Sequence, residues 1–164
     1  LPILTMEEVF NNTSYARRFH RYIYTGIPDV SNIIITSAYA DLTGLDNPWP
    51  AVSDELKSAQ NNVKTIPTIG YHAGSATLSR WSLYKQIRQA NEFIAYAHVI
   101  PQNGDVADFI DEKELALLKN EARFLRAYYH YLLFELYGPI PIMTEIADPS
   151  AADLDYYRNS VDEK

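Results

Sequence analysis

Apolar residues recur at alternating spacings of three and four along the C-terminal half of the chain. Leu115, Leu118, Ala122, Leu125, Tyr129, Leu132 and Leu136 form one such stripe, and this period predicts a long amphipathic helix with one face on a core. A second row, Glu121, Phe124, Tyr128, Tyr131 and Glu135, lies beside it, and Lys119, Arg123, Arg126 and His130 make a third, cationic row. Asp111 and Glu114 have the spacing of a capping box at its start. Gly138, able to take the left-handed conformation, ends it, and Pro139 and Pro141 prevent a restart. Earlier, Leu83, Ile87, Ala90, Ile94 and Ala97 predict a helix over about 78–98, with Thr77 or Ser79 as its cap. The turn signals at Pro101 and 103–105 leave a short connection, so these two helices should pack antiparallel as a hairpin. Thr5 and Glu8 form another capping box. A helix should follow to about Tyr24, burying Val9, Ala16, Phe19 and Ile23 and ending at Gly26 and Pro28.

Between the first and second helices the period is lost. Residues 30–40 hold a β-branched run, Ile33 to Thr36, but no partner strand exists elsewhere, so this segment is read as part of a buried helix. Residues 41–77 are rich in Gly, Pro, Asn and Ser and predict a long irregular loop, a feature that is often functional when real. The fold class is therefore all-α: helical hairpins plus a long loop, in one domain over residues 1–164. The spacing suits helical-repeat units, although no sequence repeat of the tetratricopeptide type stands out. Ser160 to Glu163 is a further capping box with only Lys164 behind it, which suggests that the chain is cut from a longer protein or has been nicked there.

Composition removes several function classes. A net charge of −7 argues against nucleic acid, which needs a basic surface. No run approaches the roughly 20 apolar residues of a membrane span. The absence of Cys excludes disulfides, thiolate metal sites and cysteine nucleophiles. No signal peptide is visible and the first residue is Leu1; removal of a leader would give the same result, so location stays open. The 13 Tyr suit both helix packing and wet binding surfaces.

No catalytic motif emerges. His20, His72, His98 and His130 have no metal-ligand spacing. Gly70 to Gly74 has the outline of a nucleophile elbow but carries His72 where Ser is required. Asp153-Leu154-Asp155 lacks the glycine and distal glutamate of a calcium loop. No cofactor is expected. The Asn11-Asn12-Thr13 glycosylation pattern falls on a predicted helix and is read as chance. Arg123, Arg126 and Glu121 read as residues that orient helix packing, and the Tyr128–Tyr131 cluster, Trp81 and Tyr84 as packing. Trp49 differs. It sits between Pro48 and Pro50, beside Asp46 and Asn47. A sugar ring stacks its apolar face on an indole and needs amide or carboxylate partners for its hydroxyls, so Trp49, Asp46 and Asn47 are candidate ligand-binding residues. The competing reading is that Trp49 anchors the loop on the helices. Tyr71 and His72 are weaker candidates of the same kind.

The stretch EARFLRAYYHYLLFELYGPIPIMTE, residues 121–145, resembles the hallmark segment of the SusD/RagB family, in which such a helix runs into Leu-Tyr-Gly, an extended Pro-containing segment and Thr-Glu. The match covers Glu121 to Tyr129, Leu136, Tyr137, Gly138, Pro141, Thr144 and Glu145. Trp81, Tyr84, Ile87, Arg88, Ala90, Asn91 and Ile94 resemble the family's preceding helix, and Arg158 to Glu163 the start of the next; residues 5–28 fit its first helix loosely. Family members are several hundred residues long, so the resemblance implies an N-terminal portion, and the family's lipidated cysteine is absent from this chain. It further implies tetratricopeptide-like helix pairs and an outward-facing outer-membrane lipoprotein. The implied role is non-catalytic capture of an oligosaccharide or other nutrient for a SusC-like TonB-dependent transporter. Membrane attachment would run only through the lipid anchor. The hallmark helix would be structural, with ligand contacts in variable loops.

Overall fold

A computed structural model of the chain describes residues 4–29, 53, 55, 72, 74, 79–104, 106–148 and 156–160. The helix expected over 30–40 and most of the loop expected over 41–77 lie outside these residues, as do Val161 to Glu163 of the last capping box. The described elements are α1 (Met6–Phe10), α2 (Thr13–Ile23), a 3₁₀ turn (Tyr24–Gly26), α3 (Leu83–Tyr96) and α4 (Glu112–Tyr137). Among the described residues there is no strand, and the fold is all-α.

The expected first helix is split in two. Its start is as read: the Thr5 hydroxyl accepts the Glu8 N–H at 3.2 Å while a Glu8 carboxylate oxygen accepts the Thr5 N–H at 2.7 Å. The helix then stops at Phe10, because Asn12 takes an extended backbone and its side chain caps α2 by accepting the Tyr15 N–H at 3.0 Å. Asparagine competes for backbone donors and so favours a cap over a helix interior, which periodicity alone does not register. Gly26 ends α2 for a packing reason. A Cβ there would stand 3.0–3.1 Å from the Tyr129 ring, Gln86 and Leu83, so only glycine lets the turn reach α3 and α4.

α3 begins at Leu83, later than expected. Ser82 occupies the cap position without a side-chain bond, so neither it nor Ser79 acts as a cap. Residues just ahead of it are held instead by Arg80, which is 6% exposed. Its backbone N–H donates to the Tyr137 hydroxyl, and its guanidinium donates to the Leu132 carbonyl at 2.8 Å and the Glu135 carboxylate at 2.6 Å. α4 is capped by Asp111, which accepts the Glu114 N–H at 2.7 Å. The second half of that expected box is diverted: Arg17 of α2 holds the Glu114 carboxylate with bonds of 2.8 and 3.1 Å, and also donates to Asp108 and the Phe109 carbonyl. At Gly138 the backbone has φ 68° and ψ −140°, a positive-φ conformation other than the left-handed helical one.

α3 and α4 pack antiparallel, as expected. Arg80 meets Leu132 at one end, Asn91 meets Arg126 midway, and Ile100 and Ile110 exchange backbone bonds of 3.0 and 2.9 Å at the other. The core lies between them and α2: Leu83, Ile87, Ala90 and Phe93 from α3, Ala122, Leu125, Tyr129 and Leu133 from α4, with Phe10 and Ile23 closing it. The Tyr129 hydroxyl donates to the Ile23 carbonyl in a short bond, tying α4 to the end of α2. Trp81 stacks on Tyr137 with ring centres 3.8 Å apart and on Tyr84 at 6.3 Å, so Trp81 and Tyr84 pack as the sequence suggests.

Candidate functional site: a cleft beside an extended segment

After Gly138 the chain runs extended, since prolines at 139 and 141 exclude a helix. Such a segment must satisfy its backbone groups, and in a sheet a neighbouring strand would do so. Here it is done one group at a time, mostly by side chains. Tyr84 donates to the Pro141 carbonyl at 2.7 Å. Asn91 donates to the carbonyls of Met143 at 3.0 Å and Glu145 at 3.1 Å. Arg126 donates to the Thr144 carbonyl at 2.8 Å, and His130 accepts the Met143 N–H at 3.0 Å. From the far side, Arg158 donates to the Pro139 carbonyl, the Asn159 N–H to that of Ile140, and the Asn159 side chain accepts the Ile142 N–H.

Between α3 and this segment lies a cleft of about 300 Å³. Tyr84, Ile87, Arg88 and Asn91 of α3 form one wall; Pro141, Met143, Glu145 and Ala147 form the other, with Tyr156 beside them. Ile87 is buried, Tyr84 half-buried and Tyr156 exposed. Asn91 is buried and has no group to spare: Arg126 donates to its carbonyl oxygen at 2.7 Å while its amide serves the segment. Burial pushes the Tyr84 hydroxyl up to about 12, so it remains a donor over the physiological range. Arg88 is exposed and pairs with Glu92 at 2.8 Å. The cleft therefore offers apolar and aromatic faces inside and charged groups, Arg88 and Glu145, on exposed side chains. That suits a flat or apolar moiety. Among the described residues there is no cluster of His, Asp or Glu that could hold a metal ion, and no helix is long and apolar enough to cross a membrane.

Of the site residues expected from the sequence, Trp49, Asp46, Asn47 and Tyr71 lie outside the described residues. His72 is exposed, and its Nδ1 accepts the Gly74 N–H at 3.1 Å. It is not among the described residues of the cleft. Sequence reasoning passed over Asn91 as a builder of the site. The available signal was a polar residue four after Ile87 and three before Ile94, on an otherwise apolar stripe.

Arg126 and Glu121 do orient packing, whereas Arg123 is exposed and donates to Asn120 of its own helix at 2.9 Å. Arg126 anchors the extended segment, and Glu121 accepts the Tyr24 hydroxyl at 3.0 Å and stands 3.3 Å from His20 of α2. The Tyr128–Tyr131 cluster divides: Tyr129 is fully buried, whereas Tyr131 is 57% exposed. Burial holds the His20 and His130 imidazoles below their ordinary value and raises the Tyr129 hydroxyl.

No curated protein and no solved structure matches the chain. A family model, SusD-like and described as starch-binding associating with outer membrane, matches residues 23–164. It thus takes in α3, α4, the extended segment and all the residues that clamp it. This chain belongs to the SusD-like family of outer-membrane-associated binding proteins.

Proposed function

We propose that this chain is the N-terminal portion of a non-catalytic glycan-capture protein that delivers its ligand to a SusC-like TonB-dependent transporter. In this reading it is a lipid-anchored protein on the outward face of the outer membrane, built from tetratricopeptide-like helix pairs. The family match over residues 23–164 carries the proposal. The ligand platform is Trp49, held between two prolines, with Asp46 and Asn47 as hydroxyl partners and Tyr71 and His72 nearby in sequence. The cleft at Tyr84 and Tyr156 offers another aromatic surface.

Titration calorimetry against a panel of oligosaccharides tests this, with Trp49→Ala and Tyr156→Ala beside the parent. Binding abolished by Trp49→Ala supports the loop as the site. Binding lost only with Tyr156→Ala moves it to the cleft. No binding to any glycan favours a second reading, a helical scaffold that binds only protein. One observation supports that alternative: Leu117, Phe124 and Tyr131, spaced seven apart on α4, are 58%, 70% and 57% exposed.

A further inference from the structure

The extended segment is fastened to α4 by a group whose protonation state its neighbours dictate. His130 Nδ1 lies 2.8 Å from the Arg126 carbonyl, and Nε2 lies 3.0 Å from the Met143 backbone nitrogen. A carbonyl oxygen only accepts, so Nδ1 carries the proton. The Met143 N–H only donates, so Nε2 must present its lone pair. This neutral tautomer alone satisfies both partners. Adding a proton to Nε2 would turn one donor against another and leave the Met143 N–H without its acceptor.

The surroundings sharpen the conflict. Arg126, one turn earlier on α4, donates to the Thr144 carbonyl and to Asn91 and stands near enough to disfavour an imidazolium. Tyr84 of α3 meets the imidazole edge-on with ring centres 6.3 Å apart. Tyr84 also holds Pro141 and feels the charge of Arg158 from the returning chain. Glu145, at the cleft wall, is joined to this group through Asn91, which bonds its backbone carbonyl. Pro141, Met143 and Glu145, the residues fastened here, are also one wall of the cleft.

We propose that His130 is a proton-sensitive latch: its neutral imidazole holds the extended segment at Met143, and protonation releases this grip and loosens the cleft wall that the segment forms. The direction follows from the partners, with the segment docked at neutral pH and loosened in acid. Nuclear magnetic resonance of the isotope-labelled chain tests it, following the imidazole nitrogens of His130 and the exchange protection of the Met143 amide from about pH 7.5 to about pH 5. A single proton permits at most about a tenfold loss of protection per pH unit. The expected result is a Met143 protection factor that falls about tenfold or more over this range, the proton entering Nε2 as the segment lets go. His130→Gln retains an acceptor that does not titrate, and its Met143 protection should stay within about twofold across the same range. Equal acid sensitivity in His130→Gln would overturn the proposal, as would a Met143 amide that keeps its protection in the parent protein down to about pH 5.

Discussion

The two faces of α4 carry similar side chains and have opposite fates. On the inner face Ala122, Leu125, Tyr129, Leu132 and Leu133 are buried against α2 and α3. On the outer face Leu117, Phe124 and Tyr131 stand exposed, and Phe124 stacks on Tyr128 with ring centres 6.4 Å apart. Hydrophobic burial rewards a side chain only when another element covers it. An apolar stripe announces a surface fit for packing, not the presence of a partner. It also separates what stabilises this structure from what is available for binding.

The largest test of that separation is a pair of truncations. Leu133→Ala, at a site with no exposure, should lower stability by about 2–5 kcal/mol in urea unfolding. The same experiment on Phe124→Ala should give a change within about 0.5 kcal/mol. Equal losses would mean that the outer face is covered in solution.

The inner assembly also depends on polar groups that no stripe reveals. Asn91→Ala removes the donors from the Met143 and Glu145 carbonyls and takes from the Arg126 guanidinium one of its two acceptors, leaving it the Thr144 carbonyl, and should cost about 1–3 kcal/mol. A neutral result in thermal or urea unfolding would show that the extended segment does not need this clamp. Gly26→Ala should cost a similar amount, about 1–3 kcal/mol, because the new methyl group meets Tyr129, Gln86 and Leu83 at 3.0–3.1 Å.

Acid should weaken the inner side selectively. Burial holds both His20 and His130 below the ordinary value of 6.5, so the folded protein binds fewer protons than the unfolded chain as pH falls past that value. Stability is therefore fully present above 6.5 and declines as the pH drops below it. A urea midpoint that stays level from about pH 7 to about pH 5 would contradict this. The smallest effect on folding, and the sharpest on association, belongs to the outer face: Phe124→Ala with Tyr131→Ser should leave the midpoint nearly unchanged while reducing any self-association seen by sedimentation.

Much of the helical framework was legible from residue order. The Thr5 cap, the stripes of α3 and α4, the stop at Gly138 and the hairpin pairing all follow from local propensity and period. The site was less so. Capping at Asn12 outcompeted helix continuation, a choice between two local bonds of similar strength that pattern counting does not weigh. Arg126 reads from the sequence as a residue that orients helix packing and His130 as one of a cationic row; the part that both play with Asn91 came from an extended segment that arrives 13 to 54 positions away along the chain.

Residue order alone sets the helical class and the end of α4, because glycine, proline and a 3.6-residue period act through nearby backbone geometry. Which face of α4 is covered, why Gly26 must lack a side chain and which groups fasten the extended segment emerge only in the packed fold. Those depend on distance between elements remote in sequence, where burial and hydrogen-bond satisfaction are settled jointly by both partners.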